Sequence, residues 1–106
     1  MVIDDIGEVI AERTLERSVN GGAPDTVAVR LGKPQPFLDA PGFYSPFEVV
    51  GLEERKIYYA AGVDAFQSLQ LVLRMISALL HHRDEPSVEM FFLEPGDDLG
   101  FPEEQF

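Results

Sequence analysis

Apolar and polar residues alternate over two stretches in the first third of the chain. One runs through residues 7–19 and the other through 26–33, with the period of two that is typical of β-strands. The turn-forming residues 20–25 separate them, so the pattern predicts a hairpin with a long loop. Arg13 and Arg17 fall on the apolar side of the first strand. Either they lie near the rim of the sheet, which we prefer for Arg17, or a bulge shifts the register around them.

Three further strands are predicted downstream. Residues 47–52 and 55–61 are β-like, and the acidic pair 53–54 between them suits a short hairpin connection. Residues 87–93 alternate again and predict a fifth strand. Between the second and third strands, residues 34–46 contain four prolines. Because proline cannot donate a hydrogen bond to a ladder, we expect an irregular excursion across the surface there.

A long apolar helix is predicted over residues 63–82. Asp64 and Gln67 have the spacing of a capping box, in which two side chains satisfy exposed backbone N–H groups reciprocally. We therefore interpret both as structural helix-cap residues, and Gly62 permits a sharp turn into the helix. The succession β-β-β-β-α-β predicts an α+β fold with two layers, a mostly antiparallel sheet of about five strands and one long helix.

The polar side of this helix is narrow. At about 100° per residue, its polar positions form a single stripe of Gln67, Gln70, Arg74, Ser77 and His81. A helix on a sheet needs an apolar face of only about a third of its circumference, so something besides the sheet is expected to cover this one. The candidates are the chain's own segments 34–46 and 94–106, or a second copy of the protein.

Composition and charge restrict the class of protein. With 106 residues, the chain is expected to form a single domain over 1–106, with an acidic, irregular tail from about residue 94. Nineteen acidic residues against eight basic ones give a net charge of −11, which disfavours nucleic-acid binding. Polar residues interrupt the longest apolar stretch, so no membrane-spanning helix is predicted. Acids at the amino terminus, where a secretory signal carries bases, predict a cytoplasmic protein.

The helix carries a motif that is similar to one in a known family. The motif residues are Gly62, Val63, Asp64, Gln67, Leu69, Leu71 and Leu73. They resemble the pattern G-V-D-x-x-Q-A-L-x-L-x-L of a family of small uncharacterised bacterial proteins, a domain of unknown function. Residues 13–15 and 31–34 also resemble this family, so the resemblance spans about residues 8–80. The chain departs from it at Ser68, where the pattern has Ala, and around 43–48, where members often carry a Cys-containing strand. The resemblance implies a bacterial source and transfers no catalytic residue.

No arrangement of residues in the sequence predicts catalysis, a cofactor or a metal. There is no cysteine, which excludes thiol catalysis and cysteine-based zinc sites. His81 and His82 would point about 100° apart on a helix, so they could not share a metal. The acidic pairs 97–98 and 103–104 lack the alternating oxygen donors of a calcium loop. Residues 32–34 lack the further glycines and the hydroxyl residue of a phosphate-binding loop.

Two functional hypotheses stay open at this point. The first is a non-catalytic interaction module, of the immunity or antitoxin kind, that binds a basic protein or forms a homodimer through the helix. Its candidate contact residues are Leu71, Arg74, Met75, Asp97, Asp98, Glu103 and Glu104. The second is a small-molecule binder or enzyme with a pocket between the helix and segment 34–46. Arg13, Arg74 or Tyr59 would supply its polar groups.

Overall fold

The computed structural model describes residues 3–51, 56–81, 88–92 and 99–101. The elements in these ranges are β1 (Val9–Val19), β2 (Asp25–Gly32), β3 (Gln35–Pro36), β4 (Phe43–Val50), β5 (Lys56–Gly62), α1 (Ala65–His81) and β6 (Val88–Phe91). All the strand pairs between these elements are antiparallel. The predicted α+β fold, with one long helix and an antiparallel sheet, is therefore confirmed.

Strand β4 is the centre of the sheet. Both β2 and β5 pair with residues 47–49 of β4, so these two strands must lie on its opposite edges. Beyond β2, the sheet continues through β1 to β6. The short β3 pairs only with Tyr44 and Phe43, at the beginning of β4.

The prediction that residues 34–46 form an irregular surface segment was wrong at both ends of this range, where the structure has strands. Gln35 and Pro36 form β3, and β4 begins at Phe43, so Pro46 lies inside the central strand and is buried. The reason is local: β3 pairs with the first two residues of β4, and β2 pairs with it only from Phe47. One edge of β4 therefore has no paired strand at Ser45 and Pro46, and this gap accommodates a residue without a backbone N–H.

The register of β1 settles where its two arginines lie. Pairing with β2 is continuous from Ala11 to Arg17, and the irregularity lies before it, between Val9 and Ala11. Arg13 is therefore on the same face as Leu15, at a point that β6 does not reach, since β6 pairs only with residues 16–19. Arg17 pairs with Asp25 at the end of the β1–β2 ladder. Arg17 also pairs with Met90 of β6 and therefore lies between two strands, so of the two arginines Arg13 is the one at an edge of β1. No bulge between them shifts the register.

Helix α1 packs on β4 and β5 and closes one face of the sheet. The core between the layers contains buried residues from both, namely Leu15, Val27, Val29, Leu31, Phe47, Val49, Ala60, Val72, Ile76, Leu80 and Leu99. The predicted polar stripe was wrong at Ser77, which is 1% exposed. In the described parts of the chain, no helix is long and apolar enough to cross a membrane.

Part of one candidate cover of the helix, segment 99–101, joins the core. Leu99 belongs to the core cluster, and Phe101 packs against it from outside. Phe37, from the other candidate segment, instead contacts Tyr44 with the ring centroids 5.3 Å apart. Because Ser45 faces the helix, the neighbouring Tyr44 points to the opposite face of the sheet. Of the two candidate segments, 99–101 therefore packs with the core on the helix side of the sheet, whereas Phe37 contacts a ring on the other side.

Candidate functional site

The beginning of the helix has the hydrogen bonds of a capped N-terminus. The backbone N–H of Gln67 donates to Asp64 Oδ1 over 2.8 Å, and Gln67 Oε1 accepts from the backbone N–H of Val63, also over 2.8 Å. The standard box would use the N–H of Asp64 instead, so the reciprocal bond is shifted by one residue. Both side chains are engaged with the backbone of this turn.

Ser68 joins the helix to the sheet. Its hydroxyl donates to the carbonyl oxygen of Ala65 over 2.9 Å, and Ser45 Oγ lies 2.8 Å away from it. Since the single hydroxyl proton of Ser68 is used on Ala65, Ser45 is the donor between the two serines. An added Cβ at Gly62 would lie 2.5 Å from the Ser68 nitrogen, so the close approach requires glycine there. These polar groups are structural.

Arg13 connects the sheet to segment 99–101. Its Nη1 donates to the carbonyl oxygens of Leu99 over 3.3 Å and of Gly100 over 2.7 Å. Its guanidinium carbon lies 4.5 Å from the ring centroid of Phe92 and 4.8 Å from that of Phe101. A Cβ at Gly100 would lie only 2.6 Å from Nη1. The guanidinium thus fixes the segment through neutral acceptors and two aromatic rings.

A cavity of about 260 Å³ adjoins this arginine. Its lining comes from the sheet, the helix and segment 99–101, namely Ala11, Glu12, Arg13, Val29, Leu31, Leu73, Ile76, Gly100 and Phe101. Most of these side chains are apolar. This cavity is not the predicted pocket between the helix and segment 34–46, because its third wall is segment 99–101. Of the polar groups proposed for that pocket, only Arg13 lines this cavity.

A second charged group lies on the opposite face of the sheet. Arg30 Nε is 3.1 Å from Glu12 Oε2, and its Nη1 is 2.9 Å from Glu48 Oε1. The Glu48 side chain is 1% exposed and that of Glu12 is 48% exposed. Arg30 therefore pairs with one buried and one solvated carboxylate. Alternating charges at facing positions of β1, β2 and β4 could have predicted this ladder, but only once the strand order was known.

A wider groove of about 630 Å³ lies at the amino-terminal side of the molecule. The amino-terminal segment and the loop before β4 line it, through Ile3, Asp4, Asp5, Phe37, Leu38, Asp39, Ala40 and Tyr44. Leu38 is 97% exposed. The loop is closed by a hydrogen bond from the Phe37 N–H to the Gly42 carbonyl oxygen, 3.1 Å long. The sequence offered no signal for this groove, because its two walls are separated along the chain by three strands.

The predicted contact residues of the helix are only partly accessible. Leu71 and Met75 are half-buried and pack against the core cluster. Arg74, which lies between them in the sequence, is half-buried as well. Tyr59 lies away from the helix, with its ring centroid 6.0 Å from that of Tyr44. The remaining predicted contacts lie outside the described residues, namely Asp97, Asp98, Glu103 and Glu104.

The described residues offer no group of three or more His, Asp or Glu side chains that could hold a metal ion. Neither a curated protein nor a solved structure matches this chain. A family profile does match it, over residues 11–103. That match covers nearly the whole sheet and the helix. The chain therefore belongs to DUF6968, a domain of unknown function.

Proposed function

We propose that the domain is a non-catalytic protein-interaction module that binds a basic partner, in the way an immunity or antitoxin protein covers a basic surface. The observation that carries this proposal is the groove between the amino-terminal segment and the loop before β4. Three aspartates line it together with two aromatic rings and the almost fully exposed Leu38. Among the described lining residues there is no base.

The chemistry of the groove favours a cationic chain segment that also carries an apolar side chain. Asp4 and Asp39 are exposed and can pair with Lys or Arg, while the ring faces of Phe37 and Tyr44 attract cations at close range. Leu38 offers an apolar contact whose burial would contribute about 1.5 to 3 kcal/mol at most. The net charge of −11 would accelerate the approach of a basic partner.

The loop that presents Leu38 is held in place. Gly42 has a φ of +102°, and a Cβ at this residue would lie 2.7 Å from the Gly62 carbonyl oxygen. Together with the bond from the Phe37 N–H, this close approach ties the loop to the end of β5. A preformed loop loses little conformational entropy on binding, which favours affinity.

The test measures binding of Lys/Arg-rich peptides that contain interspersed Leu or Phe. In the double variant Asp4→Asn, Asp39→Asn, we expect affinity to fall about tenfold because two exposed carboxylates leave the groove. The control is Glu8→Gln, Asp25→Asn, which removes the same charge from exposed positions outside the groove. Fluorescence anisotropy at low and at physiological salt measures both.

The proposal requires that the groove variant loses more affinity for the peptides than the control variant does. Equal losses would mean that only the net charge attracts the peptides, and affinity indifferent to salt would also contradict the proposal. Leu38→Ser should weaken binding further without changing the melting temperature. Ile10→Ser, at an exposed apolar residue outside the groove, should leave binding unchanged.

We also propose that the protein is bacterial and cytoplasmic, and that residues 62–73 carry the helix motif of the family that the sequence resembles. The proposal also allows a homodimer through the helix, with the half-buried Leu71 and Met75 as contacts. Light scattering over a range of concentrations tests this arrangement. Replacement of both residues by Glu should make the mass independent of concentration, and a wild-type monomer throughout would exclude the homodimer.

A further inference from the structure

The cavity beside Arg13 is a different site from the proposed interaction groove, and its walls are mostly hydrocarbon. Val29 and Leu31 form its floor, Leu73 and Ile76 of the helix form one side, and Phe101 forms another. An apolar cavity of about 150 Å³ is large enough to bind benzene. At about 260 Å³, this cavity has room for a ring or branched chain with a short polar extension.

Arg13 gives this cavity a positive charge that no described carboxylate neutralises. Only Nη1 of its guanidinium is hydrogen-bonded within the described residues, and both acceptors are neutral carbonyl oxygens. Nε and Nη2 have no hydrogen-bond acceptor there. Glu12 also lines the cavity, but it lies on the other face of β1, where its carboxylate pairs with Arg30.

We propose that the cavity binds a small monocarboxylic acid with a compact apolar body, such as an aryl or branched alkyl acid. The carboxylate would accept hydrogen bonds from Arg13 Nε and Nη2, whose planar arrangement matches two carboxylate oxygens. The apolar body would contact Leu31, Leu73 and Ile76. A phosphate is a poorer fit because it carries more charge and needs more donors than one arginine offers on an apolar wall.

Binding at this position involves segment 99–101 directly. Gly100 and Phe101 form a wall of the cavity, and Arg13 holds the segment through Nη1. A ligand that contacts both Phe101 and the guanidinium adds contacts between β1 and segment 99–101. The bound acid is therefore expected to slow amide hydrogen exchange at residues 99–101.

The test is a titration of the isotope-labelled protein with phenylacetate and with its neutral amide, phenylacetamide, followed by amide chemical shifts. We expect saturable shifts at cavity-lining residues and an affinity for the acid at least about tenfold higher than for the amide. The net charge of −11 opposes an anion at long range, so the affinity itself should be modest. Hexanoate and hexanamide form a second matched pair.

Two pairs of variants separate binding in the cavity from general effects. Arg13→Gln should remove the preference for the acid, whereas Arg17→Gln removes the same charge from the same face of β1 outside the cavity. Ala11→Phe should fill the cavity from its exposed rim and abolish binding while Arg13 is intact. Thr14→Phe places the same ring on the opposite face of that strand and should have no effect.

Several results would overturn the proposal. The first is an equal affinity for the acid and the amide. The second is an equal loss of affinity for the acid in Arg13→Gln and Arg17→Gln, and the third is wild-type affinity in Ala11→Phe. The fourth is competition by inorganic phosphate that is as strong as competition by phenylacetate. The absence of shifts with every carboxylate would overturn it too. Because these readouts concern a cavity outside the acidic groove, they do not depend on whether the basic peptides bind.

Discussion

Arg13 and Arg30 occupy opposite faces of the same sheet and are held by different chemistry. Arg30 lies between two carboxylates, at 3.1 Å from Glu12 and 2.9 Å from Glu48. Arg13 contacts two backbone carbonyl oxygens and two aromatic rings. One guanidinium therefore compensates negative charge, and the other contacts only neutral groups among the described residues.

This difference indicates what each arginine contributes. Glu48 is almost fully buried, so a nearby positive charge is needed to offset the cost of removing its carboxylate from water. Arg13 has no such buried acid to compensate in the described part of the chain, and it retains donors that an external anion can use. Arg30 is thus a stability element, while Arg13 is both a positioning group for segment 99–101 and the cationic group of a candidate ligand site.

The largest expected effect is that of Arg30→Met, which keeps most of the side-chain stem and removes the charge. The buried Glu48 carboxylate would lose the 2.9 Å ion pair with Arg30. We expect a loss of about 2 to 3 kcal/mol in the free energy of unfolding. Urea denaturation measures this loss, and the melting temperature should fall by about 10 °C or more.

The double variant Arg30→Met, Glu48→Leu is the control for this effect. Replacement of both members of a buried pair by apolar residues is often neutral, so most of the lost stability should return. If the double variant is no more stable than Arg30→Met, the loss comes from packing of the arginine stem rather than from the broken ion pair with Glu48.

Much of the fold could be predicted from local patterns. Strands β1 and β2 follow from alternation, and the helix start follows from Asp64 and Gln67, because these signals depend on residues close together in sequence. Strand β3 has only two residues and therefore no period to detect. The position of Pro46 in β4 depends on where neighbouring strands end, which local rules for proline do not contain.

The sites were harder to predict because they depend on long-range contacts. Arg13 was visible as a charge on an apolar face, but its bonds are to residues 86 and 87 positions away in sequence. Likewise, Glu48 and Arg30 become neighbours only through the register of β2 and β4. A charge on the core side of a predicted strand is therefore a useful signal of a site, although it does not identify the partner.

The next effect in size is that of Gly100→Ala, which tests the Arg13 side of the comparison. Gly100 has a φ of +81°, and the new Cβ would lie 2.6 Å from Arg13 Nη1. We expect a loss of about 1 to 2 kcal/mol, part from the backbone conformation and part from the displaced guanidinium. Faster amide exchange at residues 99–101 measures the displacement.

Gly21→Ala separates these two contributions. Gly21 has a similar φ of +71°, but nothing lies within 4 Å of its added Cβ. Its cost should therefore be the conformational part alone, about 1 kcal/mol or less, without a change in exchange at residues 99–101. Equal effects of the two substitutions would contradict a specific contact between Gly100 and Arg13.

The smallest expected effect is that of Glu12→Gln, at the solvated carboxylate of Arg30. Glutamine keeps an oxygen acceptor for Arg30 Nε, and the pair that it alters is about half exposed, so we expect a loss of about 0.5 kcal/mol or less. At about 1 M salt, where the screening length is about 3 Å, this loss should disappear. Because Glu48 is shielded from solvent, the loss in Arg30→Met should persist in the same salt.

Urea denaturation of both variants at low and high salt makes the comparison. A Glu12→Gln loss as large as that of Arg30→Met would mean that the solvated carboxylate, rather than the buried one, accounts for the stabilising effect of Arg30.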